Sequence, residues 1–195
     1  MARALAARLG LEYLDTGAMY RAVTLAAMRH GIDPADVERV AELAEKVNLE
    51  VGEHGVLVDG VDATTEIRSR EVTTAVSAVA ANSRVRAELV RRQRNWANQR
   101  GGGVLEGRDI GSVVFPDAAL KLYLTASPRV RAERRVAEAG GEIDEIEAAI
   151  ARRDHYDSSR TNSPLVEADD ATVIDTTGLS IEEVLDRIEQ LLERE

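Results

Sequence analysis

The fold is decided by the stretch Val104-Leu105-Glu106-Gly107-Arg108-Asp109-Ile110-Gly111. Its apolar start follows three glycines, which is typical of the end of a buried strand. Polar side chains follow at once, and open α/β sheets bind ligands at the carboxyl ends of their strands. An arginine there can bind a phosphate through two parallel hydrogen bonds, and a carboxylate beside it can accept a hydrogen bond from a nucleobase or a sugar hydroxyl. A salt-bridged turn would explain a lone Gly-Arg-Asp equally well, so the rest of the chain has to decide.

Three further apolar segments have the character of short strands. They lie at about 11–14, 120–124 and 172–175, and with 104–106 they make four. Helical patterns separate them, and strands that alternate with helices predict a parallel sheet covered on both faces. The sequence therefore predicts an α/β fold.

The helices are predicted from their caps and breakers. We expect them at 2–9, 18–30, 33–47, 67–81 and 84–99, from Ser127, at 143–154 and from Ser180. Asp33-Pro34 indicates a helix start, and Ser180 with Glu183 forms a capping-box pattern. Residues 155–164 are polar and rich in turn formers, which predicts a loop.

Residues 48–64 follow a different pattern. Apolar and polar residues alternate there, with glycines at the joints, and this indicates a small antiparallel meander with one solvated face. Because the buried strands lack this alternation, we interpret the meander as an inserted subdomain.

Composition excludes several classes of protein. A length of 195 residues suits one domain, and a net charge of −10 with a pI near 4.9 argues against binding nucleic acid through its phosphates. There is no cysteine for a disulfide or a thiolate site, no apolar run that could span a bilayer and no signal peptide at the N-terminus. We therefore expect a cytoplasmic protein that binds neither nucleic acid nor membrane.

Arginine dominates the basic residues. Lys46 and Lys121 are the two lysines, so 23 of the 25 basic residues are the fork-shaped donors that suit phosphate. Codon bias in a GC-rich genome would also give this excess, so the positions of individual arginines matter more than their number.

Two segments place arginines where a phosphate could bind. Asp15-Thr16-Gly17-Ala18-Met19-Tyr20-Arg21 puts Tyr20 and Arg21 at the start of a helix just after a strand, where backbone N–H groups already favour an anion. Arg153 to Arg160 holds two arginines and an acid around a helix end. A solvent-facing helix surface and a charged helix terminus are the competing interpretations.

The remaining charged and aromatic residues give weaker signals. Arg131 and Arg135 share a helix face and are either a phosphate clamp or partners for Glu133 and Glu138. The three histidines have no metal-ligand spacing, and no Ser-His-Asp arrangement stands out.

Together these segments resemble a known family. The resemblance is carried by Asp15–Arg21, Arg91-Arg92-Gln93-Arg94, Glu106–Gly111 with Val114-Phe115-Pro116, and Arg153 to Arg160. In this order, and over essentially the whole chain, they look like bacterial cytidylate (CMP/dCMP) kinase. The meander at 48–64 resembles that family's enlarged nucleotide-binding insertion. Each motif alone is weak, but the set is specific.

The resemblance implies a fold and an activity. The fold is that of the P-loop nucleoside monophosphate kinases: one domain over 1–195, a monophosphate-binding insertion at 35–100 and a lid at 127–162. The activity is transfer of the terminal phosphoryl group of ATP to CMP or dCMP, giving CDP or dCDP, with Mg²⁺ accompanying ATP. The resemblance further suggests a monomer, and we expect no metal ligands on this chain.

The resemblance also implies roles for individual residues. The acceptor phosphate would be held by Arg21, Arg108 and Arg153, with Arg160 nearby, and the catalytic residues would be Arg108, Arg153 and Arg160. The cytosine edge would be read by Ser77, Arg86 and Asp109, and the sugar by Asp157 with Arg153. Thr16 and Tyr20 belong to the implied substrate-binding motif. Arg131 and Arg135 match the start of the lid over ATP.

One family feature is missing from the sequence. No Gly-x-x-x-x-Gly-Lys-[Ser/Thr] segment is present, and neither lysine follows the required glycines. We therefore expect an N-terminally truncated chain that lacks the first central strand and is unstable or nearly inactive as written. A non-catalytic pyrimidine-nucleotide binder, another small-acceptor P-loop kinase and a structural partner protein are the alternatives.

Overall fold

A computed structural model describes residues 1–52, 55–158 and 167–193. The side chains of Ala139, Arg153 and residues 155–158 also lie outside this description. The chain divides into two compact units, which we call the first unit (Ala2–Gly107) and the second unit (Arg108–Glu195 with Met1).

The first unit combines a parallel strand pair, a helical layer and the meander. Its elements are α1 (Ala2–Leu9), β1 (Tyr13–Asp15), α2 (Thr16–Arg29), α3 (Val37–Lys46), β2 (Leu49–Gly52), β3 (Gly55–Val58), β4 (Val61–Asp62), a 3₁₀ turn (Glu66–Arg68), α4 (Arg70–Ala81), α5 (Ser83–Arg100) and β5 (Val104–Glu106). Strands β1 and β5 pair in parallel, with Leu14 opposite Leu105 and Asp15 opposite Glu106. The last residues of both strands therefore meet at one edge.

Helix α2 lies at the centre of the first unit's core. Four small side chains on α2 are completely buried: Ala22, Val23, Ala26 and Ala27. Because alanine and valine are small, the neighbouring helices can pack closely against α2. The 3₁₀ turn contributes Ile67 to the same core. A core of small aliphatic residues agrees with the scarcity of aromatics in the composition.

The predicted meander is confirmed. Strands β2, β3 and β4 form one antiparallel sheet in that order, with Val51 opposite Val56 and Val58 opposite Val61. On β3, Val56 and Val58 are buried and Leu57 is partly exposed, so one face of the sheet packs on the core.

The second unit contains the other parallel pair. Its elements are a π-helical turn (Ile110–Val114), β6 (Leu122–Thr125), α6 (Pro128–Ala139), α7 (Ile143–Ser158), β7 (Thr172–Asp175) and α8 (Ile181–Leu192). Strands β6 and β7 pair in parallel, with Tyr123 opposite Val173. The predicted capping box at the start of α8 is present.

The four predicted strands are confirmed as two parallel pairs, β1–β5 and β6–β7, within the described residues. The strand predicted at 120–124 begins at Leu122, and the strand predicted at 11–14 runs from Tyr13 to Asp15. The structure supports a mixed α/β fold with parallel sheets and flanking helices, and it does not confirm the prediction of a missing central strand.

Several element boundaries were predicted wrongly. Asp33 does not start α3: its carboxylate and carbonyl accept from Ala35 N–H and Asp36 N–H in a turn, and Asp36 caps the helix instead. The helix predicted at 67–81 is interrupted at Ser69, which caps α4. Helix α7 continues to Ser158, beyond the predicted end at 154. The π-helical turn was not predicted.

No helix in the described part of the chain has the length and apolar character needed to cross a membrane.

Candidate active site

The candidate site of the first unit begins where β1 passes into α2. Asp15 ends the strand and caps the helix, because its Oδ1 accepts from Ala18 N–H at 2.9 Å. The Thr16 hydroxyl donates to Glu106 O at 2.7 Å, across to the end of β5. Thr16 is buried and its proton is committed to the backbone, so only its lone pairs could accept from a ligand. These bonds fix the start of α2 at the edge where the two strands end.

A second bond fixes the end of β5. The Tyr13 hydroxyl donates to the Glu106 carboxylate, and the pKa of Tyr13 is raised mainly by burial and then by this hydrogen bond to an anion. The Arg3 guanidinium lies over the Tyr13 ring, 5.3 Å from its centroid. No role was predicted for Tyr13 from the sequence, because its position opposite Val104 depends on the pairing of β1 with β5.

Arg21 points back to the beginning of its own helix. Its Nη2 donates to Asp15 Oδ2 at 2.8 Å, since helical side chains lean toward the N-terminus. Gly17 leaves room for it, because a Cβ there would lie 3.1 Å from Arg21 Nη1. The side chain is 17% exposed, and its buried Nε has no hydrogen-bond partner among the described residues. The positively charged Arg21 guanidinium is thus held at the N-terminus of α2, where the backbone N–H groups already attract anions.

Arg86 and Tyr20 meet between α2 and α5. The Arg86 guanidinium lies over the Tyr20 ring, 5.7 Å from the centroid, and its Nη1 donates to Ala80 O at 3.3 Å. Arg86 is buried, which is unusual for arginine. Ser77 precedes Ala80 by three residues on α4, so the two share a helix face. The implied base-reading pair is therefore carried by neighbouring helix surfaces.

The arginines at 91 and 92 have structural partners. Arg92 donates to Glu88 at 2.6 Å and to the carbonyls of Ala44 and Val47 at 2.8 and 2.9 Å, so it caps the end of α3. Arg91 also pairs with Glu88, at 2.6 Å. Hydrogen bonds from Arg91 and Arg92 hold the pKa of Glu88 below its usual range. This family motif joins α5 to α3.

The second unit brings Arg108 and Arg131 to one carboxylate. Arg108 Nη1 lies 3.4 Å from Asp154 Oδ1, and Arg131 Nη2 pairs with Asp154 Oδ2. The Arg131 Nε is buried and has no hydrogen-bond partner in the described part of the chain. No separate role was predicted for Asp154 from the sequence, although it directly follows Arg153. Two guanidinium groups and one carboxylate leave a net positive charge there.

Asp109 and Arg135 differ in their surroundings. Asp109 is buried and begins the π-helical turn, with its carbonyl accepting from Val113 N–H at 2.9 Å. Arg135 lies 3.9 Å from Glu138, and both side chains are exposed, so the structure contains this pairing, one of the two alternatives for Arg135, while the role in the lid stays a prediction. Glu133 instead pairs with Arg129.

Three predicted residues cannot be placed. The side chains of Arg153 and Asp157, and Arg160 as a whole, lie outside the described residues. The convergence of Arg21, Arg108 and Arg153 on one phosphate therefore stays a prediction.

The described residues provide no group of three or more His, Cys, Asp or Glu side chains that could hold a metal ion.

Comparisons with known proteins extend these observations. The family model for cytidylate kinase matches residues 1–194. The cytidylate kinase of Mycobacterium leprae (strain Br4923) is 46% identical over 199 residues, which cover 100% of this chain and 89% of the relative. That of Corynebacterium efficiens is 48% identical over 98% of this chain and 87% of the relative. The enzyme of Desulfitobacterium hafniense (strain Y51) is 48% identical over 96% of this chain and 84% of the relative.

The chain belongs to the cytidylate kinase family. The predicted resemblance is thereby confirmed at the level of the family. The comparisons do not support the further prediction of a truncated chain, since this cytidylate kinase family member covers most of the length of these relatives.

Proposed function

We propose that this protein transfers the terminal phosphoryl group of ATP to CMP or dCMP, giving CDP or dCDP. The family supports this, and the observation that carries it is Arg21 at the start of α2. There a half-buried guanidinium is held by Asp15 beside backbone N–H groups that favour an anion. We assign the acceptor phosphate to this position.

The base is assigned to Arg86 and Ser77. Arg86 is fixed by Ala80 O and the Tyr20 ring, so it would lose little side-chain entropy on contacting a base. A guanidinium held in this position could donate hydrogen bonds to the ring nitrogen and the carbonyl oxygen of cytosine, which are both acceptors. The family resemblance adds Asp109, whose carboxylate can accept a hydrogen bond, for the exocyclic amino group.

In the second unit, Arg108 and Arg131 are proposed phosphate ligands. Both already bind a carboxylate, Asp154, and a phosphoryl oxygen can replace such an acceptor. The family resemblance adds Arg153 and Arg160 for phosphate and Asp157 for the sugar. Arg135 is supported only by its place on α6 beside Arg131.

The proposed chemistry needs no covalent nucleophile. Phosphoryl transfer requires in-line positioning and neutralisation of charge on the transferring group, and arginines supply both. ATP is proposed to arrive with Mg²⁺, while the roles assigned to this chain's residues are binding and charge neutralisation. Losing one such contact is expected to cost about 10²–10³ in rate, by analogy with an oxyanion-hole donor.

Product analysis tests this proposal. The purified chain is incubated with ATP, Mg²⁺ and, in turn, CMP, dCMP, UMP, AMP and shikimate, and the products are separated by chromatography. CDP and dCDP should exceed every other product. Preferential phosphorylation of AMP or shikimate would contradict the assignment.

A non-catalytic pyrimidine-nucleotide binder is the second candidate. It is favoured by one observation, the lack of a Gly-x-x-x-x-Gly-Lys-[Ser/Thr] segment in the 195 residues. Calorimetric titration separates the two functions. The kinase binds both CMP and a non-hydrolysable ATP analogue, whereas the second candidate binds CMP alone and forms no CDP.

A further inference from the structure

One more arginine reaches the Asp15 carboxylate of the first unit. Arg68 Nη2 lies 3.5 Å from the same oxygen, Asp15 Oδ2, that accepts from Arg21 at 2.8 Å. Arg68 comes from the 3₁₀ turn after the meander, far from Arg21 in sequence. One carboxylate oxygen therefore already brings two guanidinium groups together.

The turn that carries Arg68 is firmly anchored. Ile67 is 1% exposed in the core, and Glu66 forms an ion pair with Arg29 at the end of α2. Backbone bonds from Arg68 N–H to Thr65 O and from Ser69 N–H to Glu66 O, each 3.0 Å, close the turn. The position of the Arg68 backbone is thus set by the same helix that carries Arg21.

Among the described residues, the Arg68 side chain keeps donors available. It is 60% exposed, and its contact with Asp15 uses one of five guanidinium N–H groups. Asp15 Oδ1 is occupied by Ala18 N–H, and Oδ2 is shared by the two arginines. Two positive charges against one negative charge leave the cluster of Asp15, Arg21 and Arg68 cationic. An oxyanion that accepts at about 3 Å from each of two nitrogens can bridge a gap of up to about 6 Å.

We propose that Arg68 is a second ligand of the acceptor's phosphate group, acting beside Arg21. This rests on the proposed function, because the phosphate is that of the bound nucleoside monophosphate. Arg68 discriminates the monophosphate from the free nucleoside, since it contributes only when a phosphate is present. The 3₁₀ turn thereby couples the meander region to phosphate binding.

Calorimetric titration of Arg68→Ala with CMP and with cytidine tests the proposal. The variant should bind CMP roughly tenfold more weakly than the wild type, the loss expected for one charge-assisted contact, and should bind cytidine equally well. Arg68→Lys should recover part of the loss because it keeps the charge without the fork. Arg70→Ala is the matched control, because it removes an exposed arginine two residues away and should leave CMP binding unchanged.

Two results would overturn the proposal in distinguishable ways. If the wild type binds CMP and Arg68→Ala keeps the wild-type ratio of CMP to cytidine affinity, Arg68 is not a phosphate ligand, and the proposed function stands. If the wild type itself does not bind CMP, the proposed function fails and this inference fails with it. A urea unfolding curve for each variant shows that the comparison is made between folded proteins.

Discussion

At the scale of single residues, Gly17 shows how the candidate phosphate site depends on a missing side chain. A Cβ there would lie 3.1 Å from both Arg21 Nη1 and Asp15 Oδ1, which is close enough to displace the guanidinium by a few tenths of an ångström. Gly17→Ala should therefore weaken CMP binding several-fold. It should also raise the unfolding free energy by up to about 0.5 kcal/mol, because alanine favours helix more than glycine. Titration and urea unfolding measure the two effects, and unchanged CMP affinity would contradict the role given to Gly17.

Arg86 is expected to set base choice. Arg86→Ala should bring the affinities for CMP and UMP closer together, because the fixed donor that favours cytosine is lost. Arg84→Ala on the same helix is the control, since Arg84 pairs with Glu38 and Glu45 on the surface and should leave the ratio unchanged. Titration of both variants with both nucleotides gives the ratio. An equal loss of affinity for CMP and UMP would argue against base reading.

Glu88 should make stability depend on pH. Hydrogen bonds from Arg91 and Arg92 lower the pKa of the Glu88 carboxylate in the folded protein. The ionised carboxylate therefore stabilises the fold at pH values above the ordinary glutamate pKa. This contribution is lost as the pH falls through the lowered pKa of the folded state. Glu88 is 12% exposed, and Glu88→Gln should cost about 1 kcal/mol at pH 7. The difference from wild type should shrink below about pH 4.3.

Urea unfolding at several pH values checks this prediction. Glu42→Gln serves as the control, since Glu42 is exposed and has no ion-pair partner within the described ranges. A cost of Glu88→Gln that stays constant between pH 7 and the acidic range would rule out the proposed ion pairs as its cause.

The sequence predicted correctly those residues whose partners lie a few positions away along the chain. Arg21 was predicted at the start of a helix after a strand, and its partner Asp15 lies in the same motif. Asp154 and Arg68 were missed because their partners are distant in sequence, at Arg108 and Asp15. Such contacts depend on how the elements pack, and no local pattern encodes them.

At the scale of elements, Asn82 joins three helices. It caps α5 by accepting from Arg84 N–H and Val85 N–H at 3.1 and 3.4 Å, and its amide donates to Val37 O at the start of α3 at 2.7 Å. It directly follows α4 and is buried. Its side chain therefore satisfies backbone groups of two helices at once.

Asn82→Ala should lower the unfolding free energy by about 2 kcal/mol, through loss of the cap and of the hydrogen bond to the Val37 carbonyl. Ser69→Ala, which removes the single cap bond of α4 at 3.3 Å, should cost less, about 1 kcal/mol. Urea unfolding of both variants gives the comparison. A smaller loss for Asn82→Ala than for Ser69→Ala would contradict this account of the helix junction.

Element types followed from the sequence more reliably than element boundaries. Period-two alternation located the meander, and apolar runs located the four parallel strands. The start of α3 was misplaced because Asp33-Pro34 and Asp36 both fit a helix start, and the choice depended on Asp33 forming its own turn. The interruption at Ser69 arises because Ile67 enters the core from a 3₁₀ turn.

At the scale of the whole molecule, each unit holds its own parallel strand pair and its own arginine–carboxylate cluster. The sequence order of the motifs predicted the family, because each motif keeps its place along the chain. The grouping of strands into pairs could not be predicted, since apolar runs alone do not specify which strands are neighbours.

The most direct test of the central claim, that this chain has a binding site for a pyrimidine monophosphate, is calorimetric titration of the wild-type protein with CMP and UMP at one salt concentration. We predict saturable binding of CMP at one site per chain, with UMP bound roughly tenfold or more weakly, because the ring nitrogen that meets the fixed donor is an acceptor in cytosine but carries a proton in uracil. Equal affinity for the two nucleotides, or no binding of CMP, would contradict the account.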